Sequence, residues 1–502
     1  MRAADASRRA SARNTSTPTR ASRSTTFSRR ARVRSAATPR EDYDAAALFS
    51  NAVRPDFLPE HIGEMYALPK RQSPFAKGGA LWQFGLGQRF IDNNDSVSLN
   101  PLRTGGTIDN ASAEDTLFSD ERAVRAGARE VIYYDPSKVK AAIVTCGGLC
   151  PGLNDVVRSI TLTLEDYGVE NIVGIKYGFR GFFADPENAL EAPMKLTSAV
   201  VDDIQITGGS ILGSSRGGSD VPAIVQKIHD MELDFLFVIG GNGSHAGALA
   251  IDKLCREKGL TTAVIGVPKT IDNDILLLDR TFGFQTAVDE AVKAIRSANI
   301  EARSADNGIG LVRLMGRQSG FIAMHAALAS GSTDVCLIPE IDCPLEGSGG
   351  VLAHIIRVVE RQNHAVVVVA EGAGQEQLGM IGETDASGNP VLQNFAKYLQ
   401  QKLKEAKPNV DIKYIDPTYM VRACRTNASD AVYCSILGQN AVHAAFAGLS
   451  AVTVGMCSGH YVYLPIPPVI SAPRTVDPEG RMFERLRFAI GQPTFSKNEA
   501  TS

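Results

Sequence analysis

Residues 268–274, Pro-Lys-Thr-Ile-Asp-Asn-Asp, bring a hydroxyl, an amine and two carboxylates together within seven positions. The preceding residues 262–267 are apolar and β-branched, which predicts a buried parallel strand. Open α/β sheets bind ligands at the carboxyl ends of their strands, so Thr270, Asp272 and Asp274 should face a ligand. Carboxylates in such a turn can take a proton from an alcohol and hold Mg²⁺. The alternative is a turn whose Asp and Asn only satisfy local backbone groups.

Two glycine-rich loops occur earlier in the chain, and each follows an apolar run. The first, at 145–154, contains Gly147 and Gly148 and opens an amphipathic helix that ends near residue 167. The second follows residues 234–239 and opens another helix with the residues Gly240, Gly241, Asn242, Gly243 and Ser244. Glycine lets the backbone approach a ligand, and free N–H groups at a helix start attract phosphate. Together with the acidic turn, the loops favour a phosphoryl-transfer site.

The elements that must position these loops alternate between strand and helix from residue 138 onward. This βαβ rhythm predicts parallel sheets with helices on both faces. We predict strands at 140–146, 171–176, 234–239, 262–267, 309–314, 334–338, 365–370, 411–415 and 451–456. We predict helices at 153–167, 222–230, 246–257, 283–300, 318–330, 391–406 and 428–447.

The N-terminal 40 residues differ from the rest of the chain in composition. They contain eleven Arg, thirteen Ser or Thr and one acid, Asp5, which is typical of an organelle transit peptide. The alternative is a disordered basic tail. This segment carries +10 and the whole chain −3, so the remainder carries −13, which argues against nucleic-acid binding. No apolar run approaches the ~18 residues that would indicate a membrane span.

The eight cysteines are too few for a disulfide scaffold in 502 residues. Cys146 and Cys150 bracket the first glycine loop, where a helix N-terminus can make a thiol reactive. We therefore consider redox sensitivity there, against the alternative of two inert, packed thiols.

Four short blocks occur in an order and spacing that resemble the 6-phosphofructokinases. They are Gly-Gly-x-x-Pro-Gly-x-Asn from 147, Gly-Gly-Asn-Gly-Ser from 240, Thr-Ile-Asp-Asn-Asp from 270 and Met-Gly-Arg from 315. The resemblance extends from about residue 90 to about 465. NAD kinases and lipid kinases share a Gly-Gly-Asp-Gly motif but lack the other blocks. Residues 177–182 and 414–417 resemble the plant and algal branch, and residues 241–247 resemble its plastid members.

The resemblance implies an α/β fold with two Rossmann-like parallel-sheet domains and an active-site cleft between them. We predict a transit peptide at 1–40 and an N-terminal extension at 41–135. A nucleotide-binding domain at 136–283 would be completed by 420–470. A sugar-phosphate-binding domain would span 284–419, and 471–502 would form a C-terminal tail.

The family's sugar-binding and catalytic roles carry over to residues that match its motifs. Asp272 resembles the base that takes the proton from the sugar 1-hydroxyl, Thr270 would hydrogen-bond the sugar or the phosphoryl group, and Arg317 resembles the cation beside that group. Further substrate-binding residues are expected to be Met315, Gly316, Glu371, Lys413, Tyr419 and Arg422.

The nucleotide and metal roles carry over in the same way. We expect Arg216 to reach the nucleotide phosphates, and the glycine loops to bind the nucleotide through Gly147, Gly148, Gly241, Asn242, Gly243 and Ser244. Asn242 and Asp274 are the expected Mg²⁺ ligands. Asn242 replaces the Asp of most family members and brings no charge, so weaker metal binding is expected.

Two further departures concern the donor and the subunit interface. Gly308 aligns with an arginine that bacterial relatives lend across that interface, and Arg303 and Arg313 are the candidates to substitute. Lys269 resembles the lysine of pyrophosphate-dependent relatives. Gly243 is the ATP-like choice, because an Asp there would collide with the nucleotide's α-phosphate.

The resemblance therefore implies a glycolytic kinase of the chloroplast stroma. It would use ATP as co-substrate and Mg²⁺ as cofactor to convert fructose 6-phosphate into fructose 1,6-bisphosphate. A homo-oligomer, dimer or tetramer, is expected, or else a hetero-oligomer, with neither nucleic acid nor membrane as partner. The alternatives are a pyrophosphate-dependent enzyme and a catalytically weak regulatory subunit.

Overall fold

The computed structural model describes most of the chain that follows the predicted transit peptide. The described residues are 37–40, 42–49, 53–79, 81–82, 89–100, 121–184, 188, 190–218, 220–379, 382–384 and 391–496. Residues 1–36 of the predicted targeting segment lie outside them. The amides of Ala37 and Arg40 donate hydrogen bonds to the carbonyl oxygens of Gly259 and Met65, at 3.0 and 2.7 Å. The last residues assigned to targeting thus already contact the folded body.

Seventeen strands are present within the described residues. Their bounds are Glu60–His61 (β1), Arg71–Gln72 (β2), Ser96–Ser98 (β3), Arg122–Arg125 (β4), Val131–Ile132 (β5), Lys140–Thr145 (β6), Asn171–Ile175 (β7), Met194–Lys195 (β8), Phe235–Gly240 (β9), Ala263–Pro268 (β10), Gly308–Leu314 (β11), Val335–Leu337 (β12), His364–Ala370 (β13), Asp411–Ile415 (β14), Leu449–Ser450 (β15), Val452–Cys457 (β16) and His460–Pro465 (β17).

The described residues contain thirteen α-helices. Their bounds are Ala45–Leu48 (α1), Ile62–Met65 (α2), Leu153–Tyr167 (α3), Ser198–Val201 (α4), Val221–Asp230 (α5), Asn242–Glu257 (α6), Phe284–Arg303 (α7), Phe321–Ser330 (α8), Val351–Gln362 (α9), Phe395–Ala406 (α10), Ala428–Phe446 (α11), Ile466–Val469 (α12) and Arg481–Ile490 (α13). None of these helices combines the length and apolar character that crossing a bilayer requires. The seven predicted helices are present with ends shifted by a few residues, whereas α1, α2, α4, α9, α12 and α13 were not predicted.

The larger sheet has nine strands in the order β3-β4-β17-β16-β10-β9-β6-β7-β8. Its central strands β7, β6, β9, β10 and β16 run parallel and are almost entirely buried, which explains their continuous apolar sequences. The register pairs Thr145 with Ile239 and Gly240 with Pro268. These three strands therefore end level, and both glycine loops and the acidic turn leave the same edge of the sheet.

The smaller sheet has four parallel strands in the order β12-β13-β11-β14. Leu314 pairs with Ala370, so the Met-Gly-Arg block and Glu371 leave adjacent strands at their carboxyl ends. Buried apolar side chains cover both sheets. The predicted α/β class with parallel sheets is confirmed.

The sequence pattern missed the antiparallel strands at the edges of the larger sheet. β3 and β4 come from the predicted extension, and β17 and β8 are also antiparallel to their neighbours. β16 and β17 join the larger sheet after the smaller one is complete. The division into domains at residues 135, 283 and 419 remains a prediction, because contacts join the described residues from Ala37 onward into one unit.

Candidate active site

The acidic turn is held in place by hydrogen bonds from three directions. The Asp272 amide bonds to Thr270 Oγ1 at 3.1 Å within the turn. Thr281 Oγ1 donates to the Thr270 carbonyl at 2.6 Å, and Ser319 Oγ donates to the Asp272 carbonyl at 3.1 Å. Asn273 adopts a positive φ of 57°, a conformation that asparagine tolerates. The turn is thus fixed mainly through its backbone, which leaves the side chain of Asp272 available.

The carboxyl group of Asp272 has the properties of a general base. Its Oδ1 is buried and has no hydrogen-bond partner. Burial, followed by the negative charges of Asp274 and Glu371, raises the pKa of Asp272 to about 7, against the lowering effects of Lys269 and Arg317. A base whose pKa lies near the working pH is well matched to proton transfer. Burial also raises the pKa of Asp274.

The first glycine loop lies directly beside the end of β10. Gly147 has a φ of +87°, which a side chain would strain, and a Cβ there would lie 3.0 Å from Lys269 Nζ. The buried Lys269 ammonium donates a hydrogen bond to the Gly148 carbonyl at 2.8 Å, and burial lowers its pKa. Ser214 Oγ donates to the Gly147 carbonyl at 2.6 Å. The loop is therefore tied both to the acidic turn and to the segment that precedes Arg216.

The thiols that flank this loop are packed in the core. Cys146 and Cys150 are 3% and 1% exposed. Burial raises the pKa of Cys146 to about 12 and raises that of Cys150 as well. Cys150 Sγ donates to the Phe282 carbonyl at 3.2 Å. The structure therefore favours the alternative of two inert thiols over redox sensitivity, because burial disfavours the reactive thiolate.

The second glycine loop begins α6, with Asn242 and Gly243 in its first turn. Below it, the buried His245 donates from Nδ1 to the Gly241 carbonyl at 3.1 Å and accepts at Nε2 from Thr453 Oγ1 at 2.8 Å. A Cβ on Gly266 in β10 would lie 2.6 Å from that Nε2, so this glycine makes room for the ring. Burial lowers the pKa of His245 to about 4. His245 thus acts as a neutral support for the loop.

The oxygen ligands near both loops fit Mg²⁺. Asn242 Oδ1, like Asp272 Oδ1, is buried without a hydrogen-bond partner. Among the described residues no three His, Cys, Asp or Glu side chains cluster as a metal site. Mg²⁺ commonly binds through one or two carboxylates together with substrate phosphates, so a complete protein cage is not required. Asn242 with its unpaired amide oxygen and the carboxylates of the acidic turn follow adjacent strands that end level, which is compatible with that pattern.

Two arginines converge on the first glycine loop. A Cβ built on Gly148 would lie 3.8 Å from Nη2 of Arg216 and 3.8 Å from Nη1 of Arg422. A cavity of about 410 Å³ here is lined by Gly147, Gly148, Leu149, Ser214, Arg216 and Arg422. Guanidinium groups bind phosphate in bidentate fashion. Arg216, which is expected to bind the nucleotide, and Arg422, which is expected to bind the sugar phosphate, therefore lie beside the same loop.

The residues expected to bind the sugar follow β11 and β13. The Glu371 amide donates to the Leu314 carbonyl and the Gly372 amide to the Gly316 carbonyl, both at 2.9 Å. Gly316 has a φ of +128°, and a Cβ there would collide with the Ser319 carbonyl. Met315 is partly buried and packs on the core. Since Ser319 also bonds the Asp272 carbonyl, the Met-Gly-Arg segment and the acidic turn form one site.

Arg313, one of the candidates to replace the bacterial arginine, is instead engaged within its own chain. Its Nη2 lies 3.5 Å from Glu371 Oε1, and its Nη1 lies 2.9 Å from Asp416 Oδ2. Gly308 is buried at the start of β11, where a Cβ would collide with the Ala302 carbonyl. The collision leaves no room for a side chain at position 308. Packing therefore explains why this chain has glycine where an arginine is expected in bacterial relatives.

Two of the predicted substrate-binding residues, Lys413 and Tyr419, contact residues close to them in the sequence. The ammonium of Lys413 lies 3.0 Å from the carboxylate of Asp411 in the same strand. Tyr419 is 73% exposed, and its ring lies 5.0 Å below the guanidinium of Arg422. The roles of both residues remain predictions.

Sequence reasoning missed the supporting residues Ser214, His245, Thr281 and Ser319. Ser214 and Ser319 stand within two residues of the arginines already assigned to phosphate binding, and that proximity was the available signal. Thr281 and His245 gave no comparable signal, because their partners are backbone carbonyls and a side chain distant in sequence.

Comparisons with known proteins identify the family of the chain. The phosphofructokinase family model matches residues 140–445. The chain is 54% identical over 81% of its length to ATP-dependent 6-phosphofructokinase 5, chloroplastic, of Arabidopsis thaliana, covering 76% of that protein. It is 48% identical over 82% of its length to ATP-dependent 6-phosphofructokinase 1 of the same plant, covering 85%.

Among solved structures, Pichia pastoris phosphofructokinase in the T-state superposes with a TM-score of 0.57 and 23% identity. The match covers 66% of this chain and 35% of that longer one, and it speaks for the fold alone. From the family match and the two relatives, the chain belongs to the phosphofructokinase family.

Proposed function

We propose that the protein is an ATP-dependent 6-phosphofructokinase, which transfers the γ-phosphoryl group of ATP to the 1-hydroxyl of fructose 6-phosphate. The observation that carries this proposal is the state of the Asp272 carboxyl group. Its Oδ1 has no hydrogen-bond partner, and its pKa is raised in part by Glu371. The turn that carries it leaves the same edge of the sheet as the two phosphate-suited loops. Membership of the family and the names of the relatives support the choice of substrates.

In this proposal Asp272 Oδ1 accepts the proton of the sugar 1-hydroxyl as the hydroxyl oxygen forms a bond to the γ-phosphorus of ATP. The bond from the γ-phosphorus to the oxygen that bridges it to the β-phosphorus breaks, and ADP leaves with that electron pair. Glu371 accepts hydrogen bonds from other sugar hydroxyls, and Arg317 lies beside the transferred phosphoryl group. Arg216 and Arg422, which converge on Gly148, hold phosphate oxygens of the two substrates in a line suited to transfer. Fixed cations stabilise the charge that develops without having to reorganise.

Asn242 and Asp274 would hold Mg²⁺, with nucleotide phosphates completing its coordination. Bound there, the ion would supply positive charge that offsets the negative charge of the nucleotide phosphates. The orphaned Asn242 Oδ1 supports this assignment. Since the amide is neutral, most of the protein's negative charge toward the metal comes from Asp274.

The space beside Gly243 supports ATP rather than pyrophosphate as donor. A Cβ at this position would meet nothing within 4 Å, so the loop leaves room for a bulky nucleotide. Lys269 does not oppose this choice, because its ammonium is engaged with the Gly148 carbonyl.

We place the protein in the chloroplast stroma, because its Arg- and Ser-rich N-terminus resembles a transit peptide and a relative is named chloroplastic. A homo-oligomer is supported by the exposed Tyr419 and Met420 close to Arg422, which offer apolar surface to a second copy. The location in the cell of a reporter fused to residues 1–60 tests the targeting. Sedimentation of the protein tests the oligomeric state.

The function is tested by initial rates on fructose 6-phosphate with Mg²⁺, comparing ATP with pyrophosphate. The chain should begin at residue 37, which keeps the hydrogen bonds of Ala37 and Arg40. We expect turnover with ATP alone, and its loss in Asp272→Ala with an unchanged melting curve. Turnover with pyrophosphate would reverse the donor assignment. Inactivity of the folded protein with both donors would favour the regulatory-subunit alternative.

A further inference from the structure

The C-terminal segment has a structural role that the catalytic proposal does not use. We call residues 473–496 the C-terminal strap. The Arg474 amide donates to the Asp274 carbonyl at 2.9 Å, at the acidic turn. At the other end, Gln492 bonds both backbone groups of Cys336 in β12, at 2.7 and 3.1 Å. The strap therefore runs from the turn that carries the catalytic carboxylates to the edge of the smaller sheet.

A cavity of about 410 Å³ lies between the strap and the acidic turn. We call it the strap cavity. One wall is Asn273 of the turn, and the apolar part includes Phe284, Phe321 and Met324. Its volume is within the ~300–1,000 Å³ range of small-molecule sites. Residues of the acidic turn and residues of the strap both line the cavity, so an occupant would contact both segments.

The charged groups of the strap cavity favour an anion. Three guanidinium groups line it, those of Arg280, Arg474 and Arg481. Its carboxylates are Asp279 and Asp477, and neither forms an ion pair with these arginines within the described residues. Instead both carboxylates accept hydrogen bonds from backbone N–H groups. Asp279 accepts one from Ser458 at Oδ1, at 2.9 Å, and one from Gly459 at Oδ2, at 2.8 Å. Asp477 accepts one from Glu479 at 3.0 Å. Asp279 nevertheless acts electrostatically on Arg474, and the three arginines and two aspartates together leave the lining with a net charge of +1.

Two of the guanidinium groups have hydrogen-bonding capacity to spare. Arg280 Nε is buried without a partner, while its Nη1 donates to Ser429 Oγ at 3.1 Å. Within the part of the chain that the structure describes, the Arg474 side chain donates one hydrogen bond, from Nη1 to the Asp279 carbonyl at 3.1 Å, and its guanidinium lies 4.8 Å from the Phe321 ring centre. Buried donors without acceptors are costly, and an anionic oxygen would satisfy them.

We propose that the strap cavity is an effector site for a small organic anion that joins a phosphate or carboxylate to an apolar or aromatic part. The anionic group lies among the guanidinium groups of Arg280, Arg474 and Arg481, and the apolar part lies toward Phe284 and Met324. Because Arg474 holds the Asp274 carbonyl and Asn273 separates the two catalytic carboxylates, occupancy changes the position of the acidic turn and thereby the catalytic rate.

The binding test uses phenyl phosphate as probe, titrated calorimetrically into the full chain, with inorganic phosphate and phenol as the two separate halves. Phenyl phosphate should bind more tightly than either half. Arg474→Met and Arg481→Ser should weaken it at least about tenfold, which equals about 1.4 kcal/mol. Arg485→Ser, a change on the same helix outside the cavity, should leave binding unchanged. Melting curves of all variants exclude loss of fold.

Calorimetry needs no turnover, so its result is independent of the proposed reaction. Binding that is lost in Arg422→Met and retained in Arg474→Met would place the anion at the first glycine loop and overturn the proposal. Absence of binding, or equal binding of inorganic phosphate, would overturn it too. In rate measurements phenyl phosphate should change kcat or KM of the parent but not of Arg481→Ser. Binding without any kinetic change would refute the effector assignment.

Discussion

The ammonium of Lys269 donates a hydrogen bond to the carbonyl oxygen of Gly148 at 2.8 Å. This contact joins the end of β10, which carries the acidic turn, to the glycine loop that follows β6. It also places a buried cation where two phosphate-bearing substrates are expected to meet, although burial lowers its pKa. Lys269 therefore fixes the distance between the proposed base and the proposed phosphate loop.

Replacing Lys269 with Met keeps the length of the side chain and removes its charge and its hydrogen bond. A hydrogen bond from a charged group contributes ~1.5–3 kcal/mol, so kcat should fall by roughly ten- to a hundredfold. Steady-state rates with saturating ATP measure the effect. Lys258→Met, at an exposed lysine after α6, is the matched control. An unchanged kcat in Lys269→Met would show that the glycine loop is positioned without this contact.

The pH dependence of the reaction should report Asp272. The base must be ionised, and burial raises its pKa to about 7, so kcat/KM for fructose 6-phosphate should fall as pH drops through about 7 and level off above it. Asp272→Asn should lower kcat by ~10²–10⁴. A substrate phosphate also titrates near 6, so the residual rate of Asp272→Asn over the same pH range is the control. A parent profile that stays flat to pH 5.5 would contradict the assignment.

Asn242→Asp tests whether this position binds the metal. A carboxylate adds a charge to the orphaned oxygen of Asn242, so the Mg²⁺ concentration for half-maximal rate should fall by roughly tenfold. Asn242→Ala removes the oxygen and should raise that concentration. Rates at fixed ATP over a Mg²⁺ series give both values. If both variants shift the half-maximal Mg²⁺ concentration in the same direction, position 242 is not a ligand.

The edge of the sheet that carries this site was predictable because each strand is an apolar run that ends in a recognisable loop. The strands predicted at 140–146 and 262–267 are therefore present at Lys140–Thr145 and Ala263–Pro268, each within one residue of its predicted end. The contact between Arg313 and Asp416 was not predictable, because it joins residues 103 positions apart with no periodic signal. The same holds for the strap, whose Arg474 meets the turn through a backbone amide that any sequence possesses.

Gly243 should decide between donors. A Cβ there meets no protein atom within 4 Å, so the fold accepts Gly243→Ala, whose small neutral methyl group should raise the KM for ATP much less than Gly243→Asp does. Gly243→Asp adds a negative charge where a nucleotide phosphate is expected, and juxtaposed like charges cost several kcal/mol. KM for ATP should rise at least about a hundredfold, with KM for fructose 6-phosphate little changed. Equal effects of Ala and Asp would attribute the loss to backbone conformation and not to charge.

Arg313 should determine how tightly the sugar binds. Its guanidinium contacts Glu371 at 3.5 Å and Asp416 at 2.9 Å, and Asp416 begins the segment that leads to Arg422. Arg313→Met would leave both carboxylates without their shared cation, so Glu371 should lose its orientation toward the sugar hydroxyls. We expect KM for fructose 6-phosphate to rise by about tenfold and KM for ATP to change less than about twofold.

A rise in KM for fructose 6-phosphate without a similar rise in KM for ATP would show that Arg313 orients Glu371. A general loss of structure would raise both KM values. Arg313→Lys retains one charge and should recover part of the affinity, though not the two-sided contact that a guanidinium makes. Arg361→Met, at an exposed arginine in the last turn of α9, should leave both KM values unchanged. If Arg313→Met raises both KM values equally, or lowers the melting temperature together with activity, the arginine stabilises the smaller sheet and does not orient Glu371.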